Sequence, residues 1–249
     1  MNANNNFHKI IINADDFGMS TDANKAIIEA FARGVISSTT LMANMPAFEE
    51  ACELAHRNGL IGKIGVHLNL TAGLPLTESI RDCGRFCGHD GTFQPRKTKL
   101  WLSQEEMDAA MAELDAQVEA CLYHGIHPTH LDSHHHMHTE WGIGKIVIAV
   151  ARRHGIGAIR LSRNCGTGIG LARRLYKYAY NARLRLAGLA KTQYFGSISD
   201  VEHLLETATG GIEVMVHLTT EDPAANADCC EQIGLLRCHS TYEFVSYLS

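Results

Sequence analysis

The run Lys9-Ile-Ile-Ile-Asn-Ala-Asp-Asp-Phe-Gly18 sets the pattern for the rest of the chain. Lys9 to Asn13 is a short apolar β run. After a loop, Ser20 to Arg33 shows helical spacing, closed by Gly34 in the position where helices most often end. The same strand-then-helix unit recurs downstream. Val35 to Ala43 is rich in β-branched residues, and Pro46 opens a helix to about Asn58. Further strands are predicted at Ile61 to Leu70, Pro128 to Asp132, Ala158 to Ser162, Gln193 to Phe195 and Ile212 to Leu218. Ser103 with Glu106 forms a capping box for a long helix to about Tyr123. Other helices are predicted over 144–154, 171–187 and 199–208, and two helical pieces finish the chain, the last capped by Ser240 with Glu243. Serial β/α units imply a parallel sheet with helices outside it. Seven or so of them favour an α/β fold closed into a TIM-like parallel (β/α) barrel of seven or eight strands over an open doubly wound sheet. The expected organisation is one domain, residues 1–249, with an inserted loop at about 71–100.

Composition narrows the function. The 249 residues are 45% hydrophobic, enough for one large core. A net charge of −5 excludes a generic binder of nucleic acid. Met1 to Phe7 lacks a basic-then-apolar pattern and no transmembrane segment is visible, so a cytoplasmic protein with reduced cysteines is expected. Cys83-x3-Cys87 with His89 has no second pair at ligand spacing and reads as free thiols. Gly166-Thr-Gly-Ile-Gly170 lacks the ending of a phosphate loop. The basic stretch over 173–185, with Tyr176, Tyr178 and Tyr180, reads as a solvated helix face; contact with an anionic or lipid-linked substrate is the alternative.

In parallel α/β folds chemistry gathers at the C-terminal ends of the strands. Asp15 and Asp16 follow the first strand, His67 lies near the end of the third, His134 follows the fourth, and His217 closes the late apolar strand. The segment His124 to His138 holds seven of the chain's fifteen histidines, a density that points to a divalent metal. The consecutive His134, His135 and His136 cannot all face one point, so one or two of the cluster are expected to be ligands. Of the adjacent carboxylates, one can bind the ion while the other stays free as a base. One carboxylate and two imidazoles leave room for water and substrate, the arrangement used for hydrolysis.

Three segments carry a resemblance: Asn13-Ala-Asp-Asp-Phe-Gly18, Gly65-Val-His-Leu-Asn-Leu-Thr71 and Pro128-Thr-His-Leu-Asp-Ser-His-His-His136. In that order they resemble the YdjC-like carbohydrate deacetylases, whose best-known branch is the chitooligosaccharide deacetylase group. Ala158-Ile-Arg-Leu-Ser-Arg163 and Glu213-Val-Met-Val-His217 continue the likeness more loosely. The resemblance implies a barrel of the polysaccharide-deacetylase type that removes acetyl groups from N-acetylated sugars. It implies Asp16, His67 and His134 as metal ligands and Asp15 as general base. It also implies that Arg160 keeps Asp15 ionised and that His217 is the general acid. The family's metal is magnesium; two imidazoles also suit zinc, cobalt, nickel or manganese. Val216-His217-Leu218 departs from the family's Cys-His-Pro. The expected partner is a small carbohydrate or, as in a hopanoid-associated branch, a glycolipid; a homodimer is compatible with the sequence. Two rivals stand beside this reading. A phosphoesterase would need basic groups at the rim, for which Arg160 and Arg163 are the candidates, and a histidine-rich metal-binding protein would hold several ions and need no Asp15.

Overall fold

A computed structural model of the chain describes residues 8–95, 101–166, 169–201, 204, 208–220, 223–237 and 242–248. The first strand, β1 (His8–Phe17), feeds α1 (Thr21–Ala32), β2 (Ser38–Leu41), α2 (Phe48–Arg57) and β3 (Ile64–Leu68). After a short α3 (Glu78–Arg81) come the long α4 (Gln104–Tyr123), β4 (Leu131–Ser133), a tight 3-10 turn over His134–Thr139, α5 (Trp141–Arg153) and α6 (Leu171–Leu186). The chain ends with β5 (Tyr194–Ser197), α7 (Ile198–Val201), β6 (Ile212–Val216), α8 (Pro223–Arg237) and β7 (Tyr242–Phe244). The expected capping signals are realised. Ser20 accepts from the Ala23 amide at the start of α1, Ser103 and Glu106 cap α4 reciprocally, and Gly34 takes a positive φ of 66° beyond α1.

All strand pairs are parallel, in the order β4-β3-β2-β1-β6-β5, and β7 pairs with the first residues of β1. The expectation of a TIM-like barrel holds in its coarser form, a curled all-parallel sheet covered by helices; the strand ladder does not run through a full circle of eight among the described residues. Where a strand is expected over Ala158 to Ser162, the backbone makes a single bridge, Leu131 to Ile159. Beyond it, the Asn164 amide donates to the Phe195 carbonyl at 3.1 Å and links the two free edges. The final piece, read from sequence as a helix, is β7; Ser240 lies outside the described residues. The segment expected to be an irregular loop contains α3 and a Cys87–Phe93 bridge, and Glu113 of α4 holds it by accepting from the Leu76 and Thr77 amides.

Alternation along β1 explains where the site sits. Ile10, Ile12 and Ala14 pack into the main core against the helices, while Ile11, Asn13 and Asp15 share the opposite, inner face of the curl. Ile11 meets Ala158, Val245 and Tyr247 in a small apolar plug. Above that plug the interior is polar: Asn13, Thr40, His67, Asp132, Arg160 and Glu213 are all essentially inaccessible to solvent. Barrel interiors are ordinarily layered with Val, Ile and Leu. A buried polar layer is stable only when its members satisfy one another.

Candidate metal centre and active site

Asp15 and Asp16 are neighbours, and on a regular strand their side chains would point to opposite faces. The pairing register of β1 with β2 shifts between Ala14 and Phe17, and Asp16 takes a φ of 69°. This bulge turns both carboxylates toward the same end of the sheet. The turn after β4 uses the same device. His135 and His136 have φ values of 50° and 55°, and the reversal leaves His134 facing Asp16. Three positive φ values at non-glycine residues within one site are local strain that the surrounding structure must hold in place.

The ligand atoms converge. Asp16 Oδ1 lies 3.0 Å from His134 Nδ1 and 3.3 Å from His67 Nε2, and the three groups offer donors within 4.8 Å of one another. His67 is oriented from behind, since its Nδ1 lies 2.7 Å from Asp132 Oδ1 and 3.1 Å from Thr40 Oγ1. A carboxylate on the far nitrogen of a ligating imidazole fixes its tautomer and direction. Asp15, His67 and Asp132 also lie close enough to form a three-ligand group, but Arg160 already supplies the cation between the two carboxylates.

Arg160 is the hub of the buried layer. Its Nη1 and Nη2 donate to both oxygens of Asp15 at 2.7 Å, Nη1 lies 2.6 Å from Asp132 Oδ2, and Nε donates to Glu213 Oε1 at 2.6 Å. Tyr247, from the opposite end of the interior, donates to Glu213 Oε2 at 2.5 Å and stacks on His130 with ring centroids 3.6 Å apart. Burial alone would raise the Asp15 carboxyl; the Arg160 guanidinium overrides it and holds Asp15 well below the usual carboxylate range. Burial would likewise raise Asp16, and His134 and His67 hold it low. For His67, burial alone would depress the imidazole, but Asp132, with Asp16 and Asp15, lifts it to about 10.

Three carboxylates, Asp15, Asp132 and Glu213, therefore share one permanent cation, Arg160, and a fourth, Asp16, stands beside them against the His67 and His134 imidazoles. The excess negative charge sits beside the Asp16–His67–His134 donors, where a divalent cation would relieve it. One oxygen and two nitrogen donors, with the rear nitrogen of His67 held by a carboxylate, fit such an ion.

Of the residues singled out in the sequence, the structure brings Asp15, Asp16, His67, His134 and Arg160 together. His217 is adjacent but looser. Its Nε2 is 3.9 Å from Asp15 Oδ2 and 4.0 Å from Asp16 Oδ2, with the side chain 57% exposed. Of the seven clustered histidines only His134 joins the ligand donors; His135 meets Thr71 Oγ1, His127 is exposed, and His130 and His138 are buried. Cys83, Cys87 and His89 form no three-ligand group among the described residues, and burial pushes the Cys87 thiol up to about 11. Sequence reasoning missed Asn13, Thr40, Asp132, Glu213 and Tyr247. Glu213 did leave a trace: it is the lone acid in the apolar strand Ile212-Glu-Val-Met-Val216.

The family model described as YdjC-like protein matches residues 9–244. The chain belongs to the YdjC-like family. Among curated relatives, a protein of Halalkalibacterium halodurans named carbohydrate deacetylase is 33% identical over 94% of this chain and 90% of its own length. One of the same name from Vibrio parahaemolyticus is 36% identical over 84% of this chain and 77% of that protein. In fold, the YdjC-like chain resembles a crystal structure from Enterococcus faecalis described as a cellobiose-phosphate cleavage protein. The TM-score is 0.76 at 22% identity, covering 97% of this chain and 98% of the other. No helix among the described residues is long and apolar enough to cross a membrane.

The two deeply buried imidazoles give the fold a pH dependence. Burial, with Arg160 near His130 and with His136 and Arg160 near His138, holds both well below the ordinary imidazole value. Unfolded, each takes a proton near pH 6.5; folded, each stays neutral, so the stability they allow is complete above pH 6.5 and falls below it. His67 acts in the opposite sense in the metal-free protein, its contribution complete below pH 6.5 and lost as pH rises toward 10. Subtracting a variant separates the two. The stability advantage of wild type over His130→Phe, which keeps a ring against Tyr247, should shrink by about 1.4 kcal/mol between pH 7.5 and 5.5 in denaturant titrations. A gap that does not change with pH would mean that His130 titrates normally in the fold.

Proposed function

We propose that the protein is a metal-dependent carbohydrate deacetylase, hydrolysing the acetamide of an N-acetylated sugar. The observation that carries this reading is the juxtaposition of the Asp16–His67–His134 donors with a separate carboxylate, Asp15, clamped by Arg160. A divalent cation held by those donors would polarise the acetamide carbonyl and lower the pKa of a water beside it. Asp15 is the general base, and the contacts nominate one of its atoms. Oδ1 accepts from both Arg160 and Asn13, whereas Oδ2 accepts from Arg160 alone and faces His217. Oδ2 therefore takes the proton of the attacking water while Arg160 keeps the carboxylate ionised. Water oxygen bonds to the carbonyl carbon, the carbon–nitrogen bond breaks, and His217, exposed at the rim, protonates the departing amine. Acetate and the free amino sugar are the products. Magnesium is the family's expected ion; two imidazoles suit zinc, cobalt, nickel or manganese better.

The relatives' name supports the carbohydrate class, and the state of the arginines counts against phosphate esters. Arg160 is committed to three carboxylates and Arg163 to Asp200, so neither is free to receive a phosphate. A storage role fails on the same geometry, because a metal reservoir has no use for a base held beside the ligands.

The test is acetate release from N-acetylglucosamine and short chitooligosaccharides by protein loaded separately with magnesium, zinc, cobalt or manganese. His134→Ala should lower bound metal below one-tenth of the wild-type stoichiometry and turnover by at least about 10²-fold. Acetate release that survives both His134→Ala and exhaustive chelation would overturn the metal reading.

A further inference from the structure

Charge is unevenly spread along this acidic chain. Between Glu140 and Asp200 there is no aspartate or glutamate, yet that segment holds eleven of the twenty-two lysines and arginines. Its exposed element is α6, which carries Arg173, Arg174, Lys177, Arg183 and Arg185; among the described residues none of the five forms an ion pair with a carboxylate. Several serve the fold in other ways: Arg183 lies over the Trp141 ring at 5.2 Å, and Lys177 donates to the Arg163 carbonyl.

The same helix is apolar on its outside. Tyr180 and Leu184 are fully buried on the inner face. Leu171, Leu175, Tyr178 and Leu186 are 74%, 61%, 72% and 90% exposed. At 3.6 residues per turn these four and Ala182 occupy one sector of roughly 80° opposite the buried side, with Arg174 and Arg185 along its border. A surface helix ordinarily turns polar residues outward. Here a ridge of leucines and a tyrosine runs the length of the helix with arginines beside it.

We infer that α6 is a docking surface for an anionic lipid bilayer, lying along the interface with its leucine ridge among the acyl chains and its arginines at the headgroups. Three features favour lipid over a protein groove. The surface is a single convex ridge rather than a concave one, its cationic groups carry long stems able to reach back to the headgroups, and the only charge it displays is positive. A groove of about 490 Å³ runs between Arg173, Tyr176 and Lys177 on α6 and His136 and Thr139 of the turn that carries His134. That groove lies on the opposite side of α6 from the ridge, so bilayer contact through the ridge does not cover it.

The full-length protein is incubated with sedimentable vesicles of phosphatidylcholine alone or containing about 30% phosphatidylglycerol, at low and high salt. Binding to the anionic vesicles is expected, with little to the neutral ones, and it should fall at least tenfold in high salt. Leu175→Glu/Tyr178→Glu and Arg174→Glu/Arg185→Glu should each weaken it by at least tenfold while circular dichroism stays unchanged. Failure to bind anionic vesicles, or equal binding to neutral ones, would overturn the inference. So would a concentration-dependent dimer in light scattering that Leu175→Glu/Tyr178→Glu abolishes, with no vesicle binding, since the ridge would then join two copies of this chain. None of these readouts needs turnover, so they stand apart from the proposed deacetylation.

Discussion

Asp15→Asn is expected to lower the turnover number for acetate release by about 10³-fold while metal stoichiometry and Tm stay near those of the wild type, the range typical for loss of a general base. The fold tolerates the change because Arg160 keeps Asp132 and Glu213 as partners, so no buried cation is stranded. The ion is retained because the Asp16, His67 and His134 donors are untouched. KM should move little if Asp15 acts on the water rather than on the sugar. Wild-type turnover in Asp15→Asn on a proven substrate would remove Asp15 from the mechanism. Joint loss of turnover and metal would instead recast it as a ligand.

The second large effect concerns stability. Arg160→Met fills a similar volume but leaves Asp15, Asp132 and Glu213 buried without their common cation. Removing one partner of a buried, hydrogen-bonded charge cluster costs about 3–5 kcal/mol, against a total of roughly 5–15 kcal/mol for a typical domain. The variant should unfold at a much lower denaturant concentration at pH 7.5. The pH dependence follows from the direction of the Asp15 shift. Its folded pKa is depressed, so the stability Asp15 contributes is fully present above its unfolded value near 3.8 and is lost only as pH falls below that. In the variant that cation is gone and burial alone acts on the carboxyls, so the gap between wild type and Arg160→Met should be largest at pH 8 and narrow as pH falls and the variant's buried carboxylates take up protons. A gap below about 1 kcal/mol would mean that the carboxylates are neutral in the fold.

The contrast between Asp16 and Asp132 shows what the sequence made legible. Asp16, His67 and His134 could be picked out because each closes a strand, where a parallel sheet presents its chemistry, and because the motifs around them resemble one family. Asp132 stands in an equally recognisable segment, yet its role depends on pointing inward at His67, 65 residues away along the chain. Strand alternation gives the face but not the partner. Tyr247 had no sequence signal at all. Its value comes from meeting Glu213 and His130 inside the curl, and no local pattern encodes that meeting. The misread last element has a similar cause: Tyr242 to Phe244 is too short for a period, and pairing with His8 to Ile10 makes it a strand. How far the curl closes was not legible either, because counting β/α units does not reveal that 158–162 contributes one bridge instead of a ladder.

The central place of β1 bears on how the chain is made. Made before any of its partners, this strand can zip to β2 within a few dozen residues, but its other flank waits for β6 and its first residues wait for β7, some two hundred positions later. For most of synthesis a strand rich in isoleucine offers an open edge, the sort of surface on which nascent chains adhere to one another. Asp15 also meets Arg160 only across 145 residues, and Arg160 meets Glu213 across 53. The buried polar layer around Arg160 is therefore complete only after Glu213 has been made, and in refolding its assembly should trail the recovery of helical signal.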